Sequence, residues 1–67
     1  MLKQAEAVRY TGFIDFYLDC TPVVTGHAVL VDAKGFKEAV EAVEMMARVM
    51  AVKFCAEGWI LKAVRRA

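Results

Sequence analysis

The sequence has few of the residues that usually reinforce a very small domain. Its 67 residues include two cysteines, one histidine and one proline. No CxxC pair occurs, and one histidine does not complete a zinc site with Cys20 and Cys55, so neither a metal nor another cofactor is expected. We expect both thiols to be reduced and to behave as small apolar residues. Because so short a chain buries only about 60% of its unfolded surface, self-association is the expected support.

Charge of one sign and long uncharged apolar runs are also missing. The net charge is +1, which favours neither nucleic acid nor an anionic membrane. The most apolar stretch, residues 39–56, is interrupted by Glu41, Glu44, Arg48 and Lys53, whereas a membrane span needs about 20 largely uncharged residues. The N-terminus also lacks the apolar run of a signal peptide. These absences predict a cytoplasmic protein without a membrane partner.

What the sequence has in excess is apolar surface. Apolar residues make up 60% of the chain, against about 45–50% in a typical globular protein by a slightly different count. A chain of this length cannot hide so much apolar surface in one core. A surplus of this kind on a soluble protein usually marks an interface.

The first predicted strand, residues 8–18, has a clear alternation of apolar and polar residues. Gly12 interrupts the apolar face and indicates a bulge or a close approach of a helix. The opposite face is polar except for Phe13 and Tyr17. The apolar face otherwise consists of Val8, Tyr10, Ile14, Phe16 and Leu18.

Two further strands are predicted, over residues 23–32 and 59–66, and residues 19–22 are predicted to form a turn before the first of them. In 23–32 both alternating sets are largely apolar, as in a strand with both faces covered. In 59–66 one side carries Trp59, Leu61 and Ala63, and the other carries Ile60, Lys62 and Val64. The alternation leaves the core-facing side of both strands open.

Residues 35–57 are predicted to form one long amphipathic helix. Gly35 is the expected N-cap, and Glu38 stands three residues later, where its carboxylate can reach back to a free N–H. Gly58 is the expected left-handed residue after the helix, in a Schellman ending that brings Phe54 and Trp59 into contact. A charged stripe consists of Lys37, Glu41, Glu44 and Arg48, with Glu44 and Arg48 in the favourable i,i+4 order. The opposite, core-facing side consists of Phe36, Ala39, Val43, Met46, Met50 and Phe54.

The predicted order of elements is therefore ββαβ, an α+β fold. A right-handed crossover between the last two strands places the first strand in the middle. We expect a three-stranded, mainly antiparallel sheet of order 2-1-3, with the long helix packed on one face. The prediction is one small domain over residues 1–67, in which residues 1–4 are loose.

The second half of the helix is the main candidate for an interface. Residues 45–56 are apolar nearly all round, and one sheet covers only one side of a helix. Met45, Val49 and Val52 are therefore expected at a homodimer or partner interface, for which methionine is well suited. The alternative is that they are merely exposed or partly covered on an alanine- and methionine-rich helix.

The polar face of the first strand is the second candidate surface. Phe13 and Tyr17 lie there together with Asp15 and Asp19. Exposed aromatic residues beside basic groups are typical of single-stranded nucleic-acid binding. Because Asp15 and Asp19 share this face and the chain has no basic excess, we expect Phe13 and Tyr17 at a partner or dimer interface, with ordinary sheet packing and nucleic-acid binding as the alternatives. The basic residues that could contact a nucleic acid are Arg9, Lys62, Arg65 and Arg66.

No motif indicates catalysis. The chain has no phosphate-binding loop and no nucleophile elbow. Asp15, Asp19 and His27 could in principle form an acid/base cluster, but nothing in their spacing requires it, and His27 is expected to be a surface or packed residue. An enzyme is therefore not expected.

One short segment resembles a known family. Lys34-Gly35-Phe36-Lys37-Glu38-Ala39, after a hairpin, is similar to the ending of the arm-type DNA-binding domains of phage integrases. The sheets of those domains are strongly basic, whereas residues 23–32 contain no Lys or Arg. Chains of similar size and ββαβ layout also occur among phage-encoded inhibitors of host defence, an analogy of layout alone.

These observations favour a non-enzymatic, homodimeric protein-binding module that acts by occupying the surface of another protein. A phage or mobile-element inhibitor of a host defence or regulatory protein is one concrete form of this hypothesis. The alternative is a nucleic-acid-binding module that uses the open sheet face.

Overall fold

Four regular elements account for most of the chain in a computed structural model that describes residues 6–67. Residues 1–4, predicted to be loose, lie outside the described residues. The elements in chain order are β1 (Val8–Leu18), β2 (Thr21–Ala33), α1 (Phe36–Lys53) and β3 (Gly58–Arg66).

The sheet has the order β2-β1-β3, and both neighbouring pairs are antiparallel. β1 is therefore the central strand, and α1 carries the chain across one face of the sheet from one edge strand to the other. This is the predicted ββαβ arrangement of an α+β fold, with the helix on one face.

The β1–β2 hairpin closes through a turn of two residues. Asp19 and Cys20 have φ angles of 51° and 61°, and positive φ at both central positions matches the right-handed twist of the strands. The turn is shorter than predicted because Thr21 and Pro22 already pair with Leu18 and Tyr17. Pro22 is tolerated because β2 is an edge strand.

The alternation along β1 is confirmed and supplies the centre of the core. Ile14 and Phe16 are fully buried, and Tyr10 is nearly so. The rest of the core comes from β2 and α1 and consists of Val29, Val31, Ala33, Ala39, Val43, Ala47 and Ala51. The buried helix residues are three alanines and one valine, so the core holds few large side chains.

Gly12 allows the helix to approach the sheet closely. A Cβ atom built on Gly12 would lie 2.6 Å from both γ carbons of Val43. Real Cβ atoms do not make contacts this short, so any side chain at this position would force the helix or Val43 to move. The predicted close helix approach is thus confirmed.

A bulge at Gly26 makes β2 change faces. Ile14 pairs with His27 and Phe16 pairs with Val24, so Thr25 and Gly26 together stand opposite Asp15. Gly26 has a φ of 62°, as expected for a left-handed residue in a bulge. The prediction that both faces of this strand are covered is wrong for the chain by itself, because the bulge shifts the apolar residues from one alternating set to the other. After the bulge, the helix side carries His27, Val29, Val31 and Ala33.

A second irregularity makes β3 change faces as well. Leu61 pairs with Ile14 and Ala63 with Phe13, which leaves Lys62 as the extra residue. Trp59 and Leu61, which were predicted to share one side of the strand, both pack against the core. After Lys62, however, the residue that packs against the core is Val64 and not Ala63. The grouping of Ala63 with Trp59 and Leu61 is therefore wrong.

The start of α1 follows the prediction in position. Gly35 is the N-cap, with extended backbone, and its carbonyl accepts a hydrogen bond from Ala39 N–H at 3.0 Å. The predicted hydrogen bond from a free N–H at the helix start to the Glu38 carboxylate is not formed, since no side-chain hydrogen bond caps the helix. Phe36, predicted to face the core, is instead 57% exposed, as the first residue of the helix.

The helix ends at Lys53, four residues before the predicted end at Glu57. Cys55, with a φ of 55°, takes the left-handed position that was predicted for Gly58. Ala56 N–H donates to Ala51 O at 2.8 Å and Cys55 N–H to Val52 O at 3.2 Å, which is the Schellman pattern. The early end has a tertiary cause: Glu57 N–H already donates to Tyr17 O at 2.8 Å, in line with β3.

Candidate protein-interaction surfaces

The first candidate is the outward-facing side of α1, formed by Met45, Val49 and Val52 and called here the helix outer surface. These side chains are 67%, 67% and 80% exposed. Spacings of four and three residues place them in one line on a helix, opposite the buried residues Val43 and Ala47. The chain's own sheet therefore cannot cover them.

A shallow apolar groove of about 300 Å³ runs beside the helix outer surface. Half-buried Met46 and Met50 form its inner wall, and their other contacts are with the core. Methionine side chains are flexible, so such a groove can adapt to an inserted side chain. The full lining consists of Met45, Met46, Val49, Met50 and Lys53.

Glu41 and Arg48 lie along one flank of the helix outer surface, and both are exposed. Within residues 6–67 neither of them forms an ion pair. The predicted Glu44–Arg48 pair is likewise not among the salt bridges of this part of the chain. The flank therefore presents one acidic and one basic side chain, each without a salt-bridge partner in this part of the chain.

The second candidate is the side of the sheet that faces away from α1, called here the open sheet face. At its centre Phe13 pairs with Ala28 on one side and with Ala63 on the other. Leu30 and Ile60, on the two edge strands, are 57% and 51% exposed. Both were missed by sequence reasoning, because the bulges hide which alternating set faces outward.

Asp15 organises the middle of the open sheet face. Its Oδ1 accepts a hydrogen bond from Gly26 N–H at 2.7 Å, which closes the β2 bulge. Its Oδ2 accepts a hydrogen bond from the Tyr17 hydroxyl at 3.4 Å and lies 3.8 Å from Lys62 Nζ. The carboxylate thus has structural partners on all three strands.

Three of the four candidate nucleic-acid contacts are engaged within the chain. Arg9 Nε lies 3.2 Å from Asp32 Oδ1, and Lys62 pairs with Asp15. The guanidinium of Arg65 lies 5.3 Å from the centre of the Phe13 ring, a cation–π contact on the aromatic face that a base would need. Arg66 pairs in register with Tyr10 and therefore belongs to the helix side of β3.

The predicted interface residues divide into two separate surfaces. Met45, Val49 and Val52 lie on the outward side of the helix, and Phe13 and Tyr17 lie on the opposite side of the domain, across the sheet. One flat partner cannot contact both sets at once.

The residues considered for acid/base chemistry are not brought together. His27 lies on the core side, where its ring is 6.1 Å from that of Phe16 and 5.4 Å from that of Phe54. Asp15 projects from the other side of the sheet. Asp19 is in the hairpin turn, where its N–H donates to Glu57 Oε1 at 2.9 Å. His27 is thus a packed aromatic residue, as expected.

The remaining polar features are few. Cys20 and Cys55 are exposed and unpaired, so the expectation that they pack as small apolar residues is wrong; both occupy positive-φ positions in turns. Across residues 6–67 no group of three His, Cys, Asp or Glu side chains is placed to hold a metal ion. No helix in the same range is long and apolar enough to cross a membrane.

Comparison of the chain with protein-family models, with curated proteins and with solved structures gives no match.

Proposed function

We propose that this chain is a non-enzymatic protein-binding module that forms a homodimer and acts by occupying the surface of another protein. The observation that carries the proposal is the exposure of Met45, Val49 and Val52 on a side of the helix that no other element of residues 6–67 covers. Contiguous apolar side chains of this size on a small domain are typical of an interaction site.

The two surfaces support different parts of this proposal. The helix outer surface is apolar and is flanked by Glu41 and Arg48, which form no salt bridge within residues 6–67, as expected of a surface that pairs with a partner. The open sheet face combines Leu30 and Ile60 with ion pairs that are already satisfied, as expected of a more polar, transient contact. An inhibitor encoded by a phage or mobile element would be one concrete form of such a module.

A cytoplasmic location belongs to the same proposal. Cys20 and Cys55 are exposed and lie at turns, where they would form intermolecular disulfides in an oxidising compartment. Exposed thiols of this kind are compatible with the reducing cytosol.

Sedimentation equilibrium tests the proposal directly. Over concentrations from about 1 μM to about 200 μM, a range suited to a small interface, the apparent mass should rise from that of the 7.5 kDa monomer towards twice that value. A dye that binds exposed apolar surface should bind less as the dimer forms. A monomer at all concentrations that also binds no dye would overturn the proposal.

A further inference from the structure

The apolar line on α1 has the spacing of a coiled-coil seam. Ala42, Met45, Val49 and Val52 follow one another at intervals of three, four and three residues, which is the pattern of alternating a and d positions. Ala42 is half-buried and the other three are exposed. A second helix can therefore pack along this line without disturbing the core on the other side.

The residues beside the seam indicate what that second helix is. One flank carries Glu41 and Arg48, seven residues apart, and the other carries Met46 and Lys53. Charged residues at such flanking positions set the partner and the direction of a helix pair. The acidic and the basic group on one flank make this surface complementary to itself.

From these charges we propose that two copies of the chain pair through antiparallel α1 helices around a two-fold axis at the level of Ala47. This inference rests on the proposed function and specifies the partner at one surface. The axis places Met45 against Val49 of the partner and Ala42 against Val52 of the partner, so the seam is filled along its whole length. Each such pair occurs twice by symmetry.

The same axis places Glu41 beside Arg48 of the partner, again twice. A parallel pairing would instead bring Arg48 next to Lys53 of the partner, with like charges in contact. In the antiparallel pairing the flanking charges are opposite, whereas in the parallel pairing they are alike. The charges therefore favour the antiparallel direction. On the other flank, Met46 of each copy lies beside Lys53 of the partner. The apolar groove beside Met50 lies under this pair, and a partner side chain can insert into it.

The length of the seam predicts a weak dimer. Three turns of helix bury well below the roughly 1,600 Å² of a standard interface, which places the complex among the weak associations. We expect a dissociation constant in the micromolar range, where charge changes at the flanks are easily measured by sedimentation.

Charge exchange tests the pairing. Glu41→Lys and Arg48→Glu should each weaken the dimer by about tenfold, since each removes two attractions and introduces two repulsions. The double variant Glu41→Lys/Arg48→Glu should restore the dissociation constant to within about threefold of the native value. Glu44→Lys is the matched control, because it makes the same charge change on the same helix away from the seam, and it should leave the dimer unchanged.

Disulfide crosslinking tests the direction independently, in a background with Cys20→Ser and Cys55→Ser. A mixture of Met45→Cys and Val49→Cys chains should crosslink to each other, whereas Met45→Cys alone should not. Efficient crosslinking of Met45→Cys to itself would overturn the antiparallel pairing. A dimer insensitive to both single charge changes would also overturn it while leaving the proposed function intact. A protein that stays monomeric at all concentrations and binds no dye would overturn both.

Discussion

The two faces of this domain differ in how their charges are balanced. On the open sheet face Arg9 pairs with Asp32, and Lys62 pairs with Asp15. On the helix outer surface Glu41 and Arg48 have no ion-pair partner among residues 6–67, although they lie beside three exposed apolar side chains. The charged groups named on the sheet face thus have partners within the chain, whereas the two beside the helix outer surface are available to a second molecule.

Both faces depend on the close contact between the helix and the sheet. Disrupting this contact should therefore have the largest effect on stability. Gly12→Ala places a Cβ atom within 2.6 Å of the γ carbons of Val43, and overpacking of this kind costs about 1–3 kcal/mol of unfolding free energy. Urea denaturation monitored by circular dichroism would measure the loss.

Val43→Ala provides the matched background for this test. Removal of the γ carbons leaves room for the new methyl group, so Gly12→Ala should cost clearly less in the Val43→Ala chain than in the native chain. Equal costs in the two backgrounds would show that the helix does not approach Gly12 as described.

Introducing two glutamates on one face at a time tests which face forms the dimer. Met45→Glu/Val49→Glu should weaken the proposed dimer by at least about tenfold, because two charges from each copy enter the centre of the seam. The unfolding free energy of the monomer should change by less than about 0.5 kcal/mol for each substitution, since both positions are exposed. Sedimentation and urea denaturation measure the two effects separately.

Leu30→Glu/Ile60→Glu is the corresponding change on the open sheet face. It replaces two side chains of similar exposure and should leave the dimer dissociation constant unaltered. If this variant dissociates the dimer and the helix variant does not, the assignments of the two faces must be exchanged.

The smallest effect is expected for nucleic acid. With Arg9 and Lys62 engaged by carboxylates and Phe13 covered by Arg65, the native chain should not bind a single-stranded oligonucleotide of about 16 nucleotides at low salt, as measured by fluorescence anisotropy. Asp15→Asn/Asp32→Asn frees both basic groups and should produce weak binding that salt abolishes. Tight, salt-sensitive binding by the native chain would instead favour the nucleic-acid alternative.

Much of the fold could be predicted because β1 is regular. Its strict alternation shows which residues face the core, and Gly12 indicates the close helix contact. The edge strands could not be assigned in the same way. β3 contains one extra residue, Lys62, and β2 contains two, one at Gly26 and one at Val23; after each of them the outward and inward sets exchange. Glycine is a recognisable signal for a bulge, but nothing local marks Lys62.

The end of the helix shows a similar limit. A left-handed residue and a Schellman ending were predicted at the end of the helix. The left-handed residue is Cys55 rather than Gly58, because Glu57 N–H already donates a hydrogen bond to Tyr17 O on β1. Local preference for glycine was overridden by a contact distant in sequence. The exposure of Met45, Val49 and Val52 was predictable, since it depends only on helical spacing and on there being one sheet.

The run of small residues under the helix has a consequence for how the protein responds to its own abundance. Ala39, Ala47 and Ala51 bring the helix close but bury little apolar surface, so the monomer gains only modest stability from its core. If folded chains pair as proposed, dimer formation stabilises the folded state by mass action, because the unfolded chain does not dimerise. The melting temperature should therefore rise with protein concentration, and dilution should favour unfolding: the chain would persist where it is plentiful and be open to proteolysis where it is scarce.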